Sequence, residues 1–124
     1  MDGDRILLVK RGAPPAVGKW AAPGGAIELG ETAAEAVRRE ALEETGLEIE
    51  VGKVAGVSDI IVPDEDTGGI LYHYTLISFF ATAVGGELRA SSDAAEARWV
   101  SLSDLRSYDV TRTLISRLEE NGLI

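Results

Sequence analysis

The chain contains no cysteine. Disulfides, thiolate nucleophiles and thiolate-bound zinc are excluded by that inventory, and a reducing compartment suits it. His73 is the only histidine; one imidazole cannot define a metal site, and it reads as a strand residue making one hydrogen bond. Long apolar runs are missing as well. No stretch approaches the roughly 18 apolar residues of a membrane span, and the opening MDGDRILLVKRG lacks a secretory signal's apolar segment. The expectation is a cytoplasmic protein with no membrane partner. Basic residues number 12 against 21 acidic ones, a formal charge of -9, so a nucleic acid polymer would be repelled.

What remains is ordinary globular composition, 45% hydrophobic and 27% charged over 124 residues. With no repeat, low-complexity tract or linker, residues 1–124 are expected to form one domain. RILLVK, from Arg5 to Lys10, is short, branched and apolar, and predicts a strand. Arg11 to Gly25 holds three prolines and four glycines, which predicts a long loop of the kind that carries function. Thr32 to Thr45 predicts a helix, with capping-box spacing between Thr32 and Glu35 and a stop at Gly46. Leu47 to Val62 predicts one bent strand or two short ones, and Ile70 to Val84 a long strand through the sheet centre. Ala97 to Val100 reads as a short strand, and DVTRTLISRLEENG as a terminal amphipathic helix. Strands and helices mixed in this way predict an α+β domain.

The helix carries the unusual chemistry. Glu40, Glu43 and Glu44 fall within an arc of about 100° on one side of it, next to an apolar side of Ala34, Val37 and Ala41. Like charges at these spacings cost a few tenths of a kcal/mol per pair, and Arg39, four residues before Glu43, offsets only part of that. Hard divalent cations such as Mg²⁺ or Mn²⁺ take oxygen ligands, and Mg²⁺ binds through a few carboxylates, waters and substrate phosphates. By itself the triplet reads first as a solvated face, as most glutamate-rich helix faces are.

The surrounding spacing adds to this. Gly25, Glu31, Arg39, Glu40, Glu43, Glu44, Gly46 and Leu47 match G-x5-E-x7-R-E-U-x-E-E-x-G-U, where U is a bulky aliphatic residue. At an average usage of ~7% per residue type, seven fixed positions match by chance at roughly 10⁻⁸ per starting point. In this respect the chain resembles the Nudix hydrolases, also called MutT-like. KWAAPGG, GGAIELGE and EARWVSLSDL are similar to other parts of that family, and Ala41 departs at one U position.

The resemblance implies a Nudix fold, a mixed β-sheet sandwiched between helices (α/β/α). It also implies Mg²⁺-dependent hydrolysis of the pyrophosphate linkage of a nucleoside diphosphate derivative, with Mn²⁺ as a substitute. Glu40, Glu43 and Glu44 would hold the metal together with the backbone carbonyl of Gly24, and Arg39 and Glu31 would orient them. Members of the family draw the general base either from the box helix or from a later acid, for which Asp93 and Glu96 are the candidates; both equally read as solvated loop carboxylates. The family commonly has another strand before the one matching RILLVK, so the first strand is expected to be missing, which implies either a truncated start or a homodimer that covers the resulting edge.

Pro63, sixteen residues beyond Leu47, resembles a feature of the ADP-ribose pyrophosphatase branch, making ADP-ribose the substrate expectation, with AMP and ribose 5-phosphate as products. It also reads as the start of a hairpin turn. Lys10 and Arg11 are open between contacting phosphate or ribose and ending a strand in solvent, and Trp20 between stacking on a base and packing under the loop. Trp99 reads as core. The alternatives are a nucleoside triphosphate pyrophosphatase that removes oxidised nucleotides and a non-catalytic nucleotide-sensing module.

Overall fold

A computed structural model describes residues 1–13, 16–89 and 94–124. Its elements run β1 (Arg5–Arg11), β2 (Trp20–Ala21), α1 (Ala33–Thr45), β3 (Leu47–Pro63), β4 (Ile70–Gly86), β5 (Ala94–Ser101), a 3-10 helix (Leu102–Ser107) and α2 (Arg112–Glu120). β1 lies between β2 and β5 in one antiparallel sheet, and β3 and β4 form a second. A parallel bridge from Trp20 to Val110 ties the first sheet to the lead-in of α2. Among the described residues, no helix is long and apolar enough to cross a membrane.

Ile6, Leu7, Leu8 and Val9 are all buried because β1 is covered on both faces. Ile6 and Leu8 join Trp20, Val100, Leu105 and Leu118 in the core beneath α2. Leu7 and Val9 point to the opposite face by strand alternation, and α1 packs against β3 and β5.

Helix α1 begins and ends where its sequence dictates. The Thr32 hydroxyl accepts from the Glu35 amide, the Glu35 carboxylate accepts from the Thr32 amide, and Gly46 closes the helix at φ 75° with its N–H donated to Leu42. The next segment is one strand rather than two, kept continuous through register shifts between Glu48 and Gly56. The β3–β4 hairpin turns over Asp64 to Gly69. It is held to α2 by Arg117, whose guanidinium donates to Ser58 and Ser78 and pairs with Glu120 at 2.6 Å.

Three expectations change. β4 does not run through a sheet centre: among the described residues it pairs only with β3, while β1 has β2 and β5 as neighbours. Trp99 is partly exposed rather than core, with the Arg5 guanidinium 5.4 Å above its ring. The long loop after β1 is not wholly irregular, since Trp20 and Ala21 pair back onto Lys10 and Val9.

Candidate active site

Arg39 organises the acidic cluster. Its Nε and Nη2 donate to the two carboxylate oxygens of Glu31 at 2.8 and 3.0 Å, a bidentate pair that joins α1 to the loop preceding it. Nη1 donates to Glu40 at 2.9 Å and Glu43 at 3.2 Å, and lies 3.6 Å from Glu28. Nη2 also donates to the Ala26 carbonyl at 2.9 Å. One guanidinium thus positions helix carboxylates and loop backbone together, a task for which a rigid fork suits better than an ammonium.

The same contacts govern protonation. The Glu31 carboxyl is held below its ordinary range first by the hydrogen bond from Arg39 and then by the Glu28 amide. Arg39 is in turn raised, mainly by its bonds to Glu31 and Glu40. Glu35 is lowered by the backbone and hydroxyl of Thr32.

Gly24 and Gly25 bring the loop backbone against the helix. The Gly24 amide donates to Glu44 Oε2 at 3.1 Å, and Glu44 is buried, 9% exposed. A Cβ on Gly25 would meet the carboxyl group of Glu40 at 2.5 Å. Loop backbone, Glu40 and Glu44 therefore share a small volume, with Glu43 further out on the same side. An all-oxygen donor set beside backbone suits a hard divalent cation. Among the described residues, no three His, Asp or Glu side chains are grouped so as to hold a metal ion; Arg39 engages Glu40 and Glu43, and the Gly24 amide engages Glu44.

The other candidates are placed elsewhere. Glu96 lies on β5 opposite Lys10, 3.7 Å from Arg98 and, by strand alternation, on the face that Val100 turns toward α2. Asp93 lies outside the described residues. Lys10 and Arg11 end β1, where the ladder shifts register. Of the two readings of Trp20, the structure supports packing: the side chain is 7% exposed, sits edge-on to Tyr108 at 5.3 Å and lies under Arg98 at 5.4 Å. Pro63 is the last residue of β3, at the hairpin turn, and His73 is exposed on β4.

Arg98 was not singled out from the sequence. Its pKa is raised chiefly by a hydrogen bond with Tyr108 and then by Glu96. It caps the Trp20 ring, and no spacing rule connects these distant positions.

This geometry is accompanied by direct likeness to known proteins. The NUDIX domain model matches residues 1–118, and the chain belongs to the Nudix family. An ADP-ribose pyrophosphatase of Methanocaldococcus jannaschii is 45% identical over 82% of the chain and 57% of that protein. A Mycobacterium tuberculosis protein provisionally named 8-oxo-dGTP diphosphatase 2 is 34% identical over 86% of the chain and 72% of its own length. The solved MutT Nudix hydrolase of Burkholderia pseudomallei superposes with a TM-score of 0.78 at 33% identity, over 94% of the chain and 87% of that structure. The α+β Nudix fold is thereby established. The chain spans little more than half of the archaeal relative.

Proposed function

We propose that this domain hydrolyses the pyrophosphate linkage of a nucleoside diphosphate derivative with Mg²⁺, and that the substrate is ADP-ribose. Water adds across the linkage, giving AMP and ribose 5-phosphate. The observation that carries the reading is the gathering of Glu40, Glu43 and Glu44 beside the Gly24–Gly25 backbone under the control of Arg39. The 45% identity to the archaeal ADP-ribose pyrophosphatase supports the choice of substrate.

Glu40, Glu43 and Glu44 would hold the metal, with the Gly24 carbonyl as a further oxygen. When bound, the ion neutralises phosphate charge and makes a coordinated water easier to deprotonate. The chain's own residues do the positioning. Arg39 orients Glu40 and Glu43, the Gly24 amide orients Glu44, and Lys10 and Arg11 supply positive charge for phosphate or ribose. Proton removal falls to a box glutamate or to the acidic pair Asp93 and Glu96. A Glu96→Gln enzyme that binds Mn²⁺ normally but loses turnover would select the latter.

The decisive assay incubates the protein and its Glu44→Gln variant with Mg²⁺ and ADP-ribose, dinucleotide polyphosphates, and normal and oxidised nucleoside triphosphates. AMP and ribose 5-phosphate from ADP-ribose, absent with Glu44→Gln, is the expected result. Pyrophosphate released from oxidised triphosphates would transfer the assignment to nucleotide sanitation, the reading favoured by the mycobacterial relative.

A further inference from the structure

A guanidinium has five N–H donors, and those of Arg39 are fully spoken for. Nε and Nη2 donate to the two oxygens of Glu31, Nη2 also donates to the Ala26 carbonyl, and Nη1 donates to Glu40 and Glu43. A further carboxylate, that of Glu28, stands 3.6 Å from Nη1. The donor count leaves it no hydrogen, so it contributes charge without a hydrogen bond.

The turn that carries Glu28 is pinned to the same guanidinium. The Glu31 N–H donates to the Glu28 carbonyl at 3.0 Å, the Glu28 N–H donates to the Glu31 carboxylate at 3.0 Å, and Gly30 lies between them at φ 84°. Because that Glu31 carboxylate also holds the Arg39 fork, turn and guanidinium form one body, and Thr32, the cap of α1, follows directly. The Glu28 side chain is exposed, so it can move without disturbing any packing.

Two demands on Glu40 and Glu43 conflict. Both are engaged by Nη1, and both are among the residues that would hold the metal. Carboxylates shared between a guanidinium and a divalent cation bring two positive groups close together, where they repel. Carboxylates turned away from Arg39 leave two N–H donors without acceptors on a side chain only 22% exposed, which is costly. A third carboxylate beside Nη1 resolves the conflict.

We infer that Glu28 is a positioning residue that takes over Nη1 of Arg39 when Glu40 and Glu43 turn to the metal. A shift of less than about 1 Å brings the pair to hydrogen-bond length. Arg39 then keeps its fork on Glu31 and its bond to Ala26, so loop and helix stay in register while the two box carboxylates change partner. The inference rests on the metal-holding role proposed above for Glu40 and Glu43.

The test compares the unaltered protein with Glu28→Gln and with Glu28→Asp, which keeps the charge on a shorter arm. Without metal all three should melt alike, since Nη1 already has both acceptors; equal melting also shows that the variants fold. Mn²⁺ titrated into each, read from the paramagnetic resonance of the free ion, should bind about tenfold more weakly to both variants. With Mg²⁺ present, the Nη1 hydrogens of Arg39, followed by NMR, should exchange slowly with water in the unaltered protein and rapidly in Glu28→Gln. Unchanged Mn²⁺ affinity in Glu28→Gln overturns the inference. So does full affinity in Glu28→Asp, which would reduce the role of Glu28 to local charge. Weakened affinity with Arg39 still protected overturns it too, by placing Glu28 on the metal itself. Failure of the unaltered protein to take up Mn²⁺ is a separate result: it removes the metal reading of the site, and the inference with it.

Discussion

Gly25 and Glu40 are in such close approach that a Cβ at position 25 would lie 2.5 Å from the Glu40 carboxyl carbon. The glycine is there for space rather than for backbone conformation, since its φ is not in the left-handed region. Gly25→Ala therefore acts by displacing the tip of Glu40, a flexible end that moves cheaply. Stability should change by less than about 1 kcal/mol. Turnover should fall about 100-fold, the effect of a misplacement near 1 Å. Thermal melting alongside ADP-ribose turnover separates the two; a large drop in melting temperature would mean that the glycine serves the fold.

Arg39→Lys keeps the charge and loses the fork. The bidentate bond to Glu31 cannot form while Glu40, Glu43 and the Ala26 carbonyl are held as well. Metal affinity and turnover should each fall about 10- to 100-fold, measured by Mn²⁺ titration and by steady-state kinetics. Unchanged Mn²⁺ affinity would show that Arg39 does not position the box carboxylates.

The site was legible because its signals are local. Thr32, Glu35 and Gly46 mark the ends of α1 within the helix's own sequence, and the spacing of Arg39, Glu40, Glu43 and Glu44 sets one side of it before any tertiary contact forms. Strand partners follow another logic. That Lys10 pairs with Trp20 and Glu96, and that β4 pairs with β3 rather than with β1, depend on long-range competition between edges of similar composition. Trp99 misled for a related reason: a large aromatic in a strand can be covered by a long cation such as Arg5 instead of by the core. The burial of Arg117 was equally unreadable, since Ser58 and Ser78 lie 59 and 39 residues away from it.

Leu8 is fully buried in the core beneath α2, packed with Trp20, Leu105 and Leu118. Leu8→Ala should cost about 2–5 kcal/mol, read from urea unfolding. Its place in the core beneath α2, away from the acidic cluster, predicts near-normal turnover per folded molecule; a selective loss of activity would mean that this core sets the geometry of the site.

Gly56 faces the Arg117 guanidinium, and a Cβ there would come within 2.0 Å of Nη1. Unlike the Glu40 tip, this group is enclosed, with its side chain 8% exposed and bonded to Ser58, Ser78 and Glu120. Gly56→Ala should destabilise by about 1–3 kcal/mol through overpacking. If instead the melting temperature is unchanged, the hairpin is not anchored through Arg117.

The acid side of the stability profile follows from two carboxylates at the start of the box. Glu31 and Glu35 both lie below their ordinary value of 4.5, the first through Arg39 and the second through Thr32. A depressed carboxyl binds its proton less readily folded than unfolded. Its stabilisation is therefore complete above the unfolded value near 4.5 and is lost as pH falls through the lower folded value. Thermal melts should hold level from neutral pH down to about that point and then decline steeply. Glu31→Gln removes one titrating group and should flatten the decline while lowering the plateau. Glu35 is exposed and Glu31 partly buried, so added salt should weaken the effect without abolishing it, because the bonds from Arg39 and Thr32 are direct contacts. A decline as steep in Glu31→Gln as in the unaltered protein would place the acid sensitivity outside the Arg39 network.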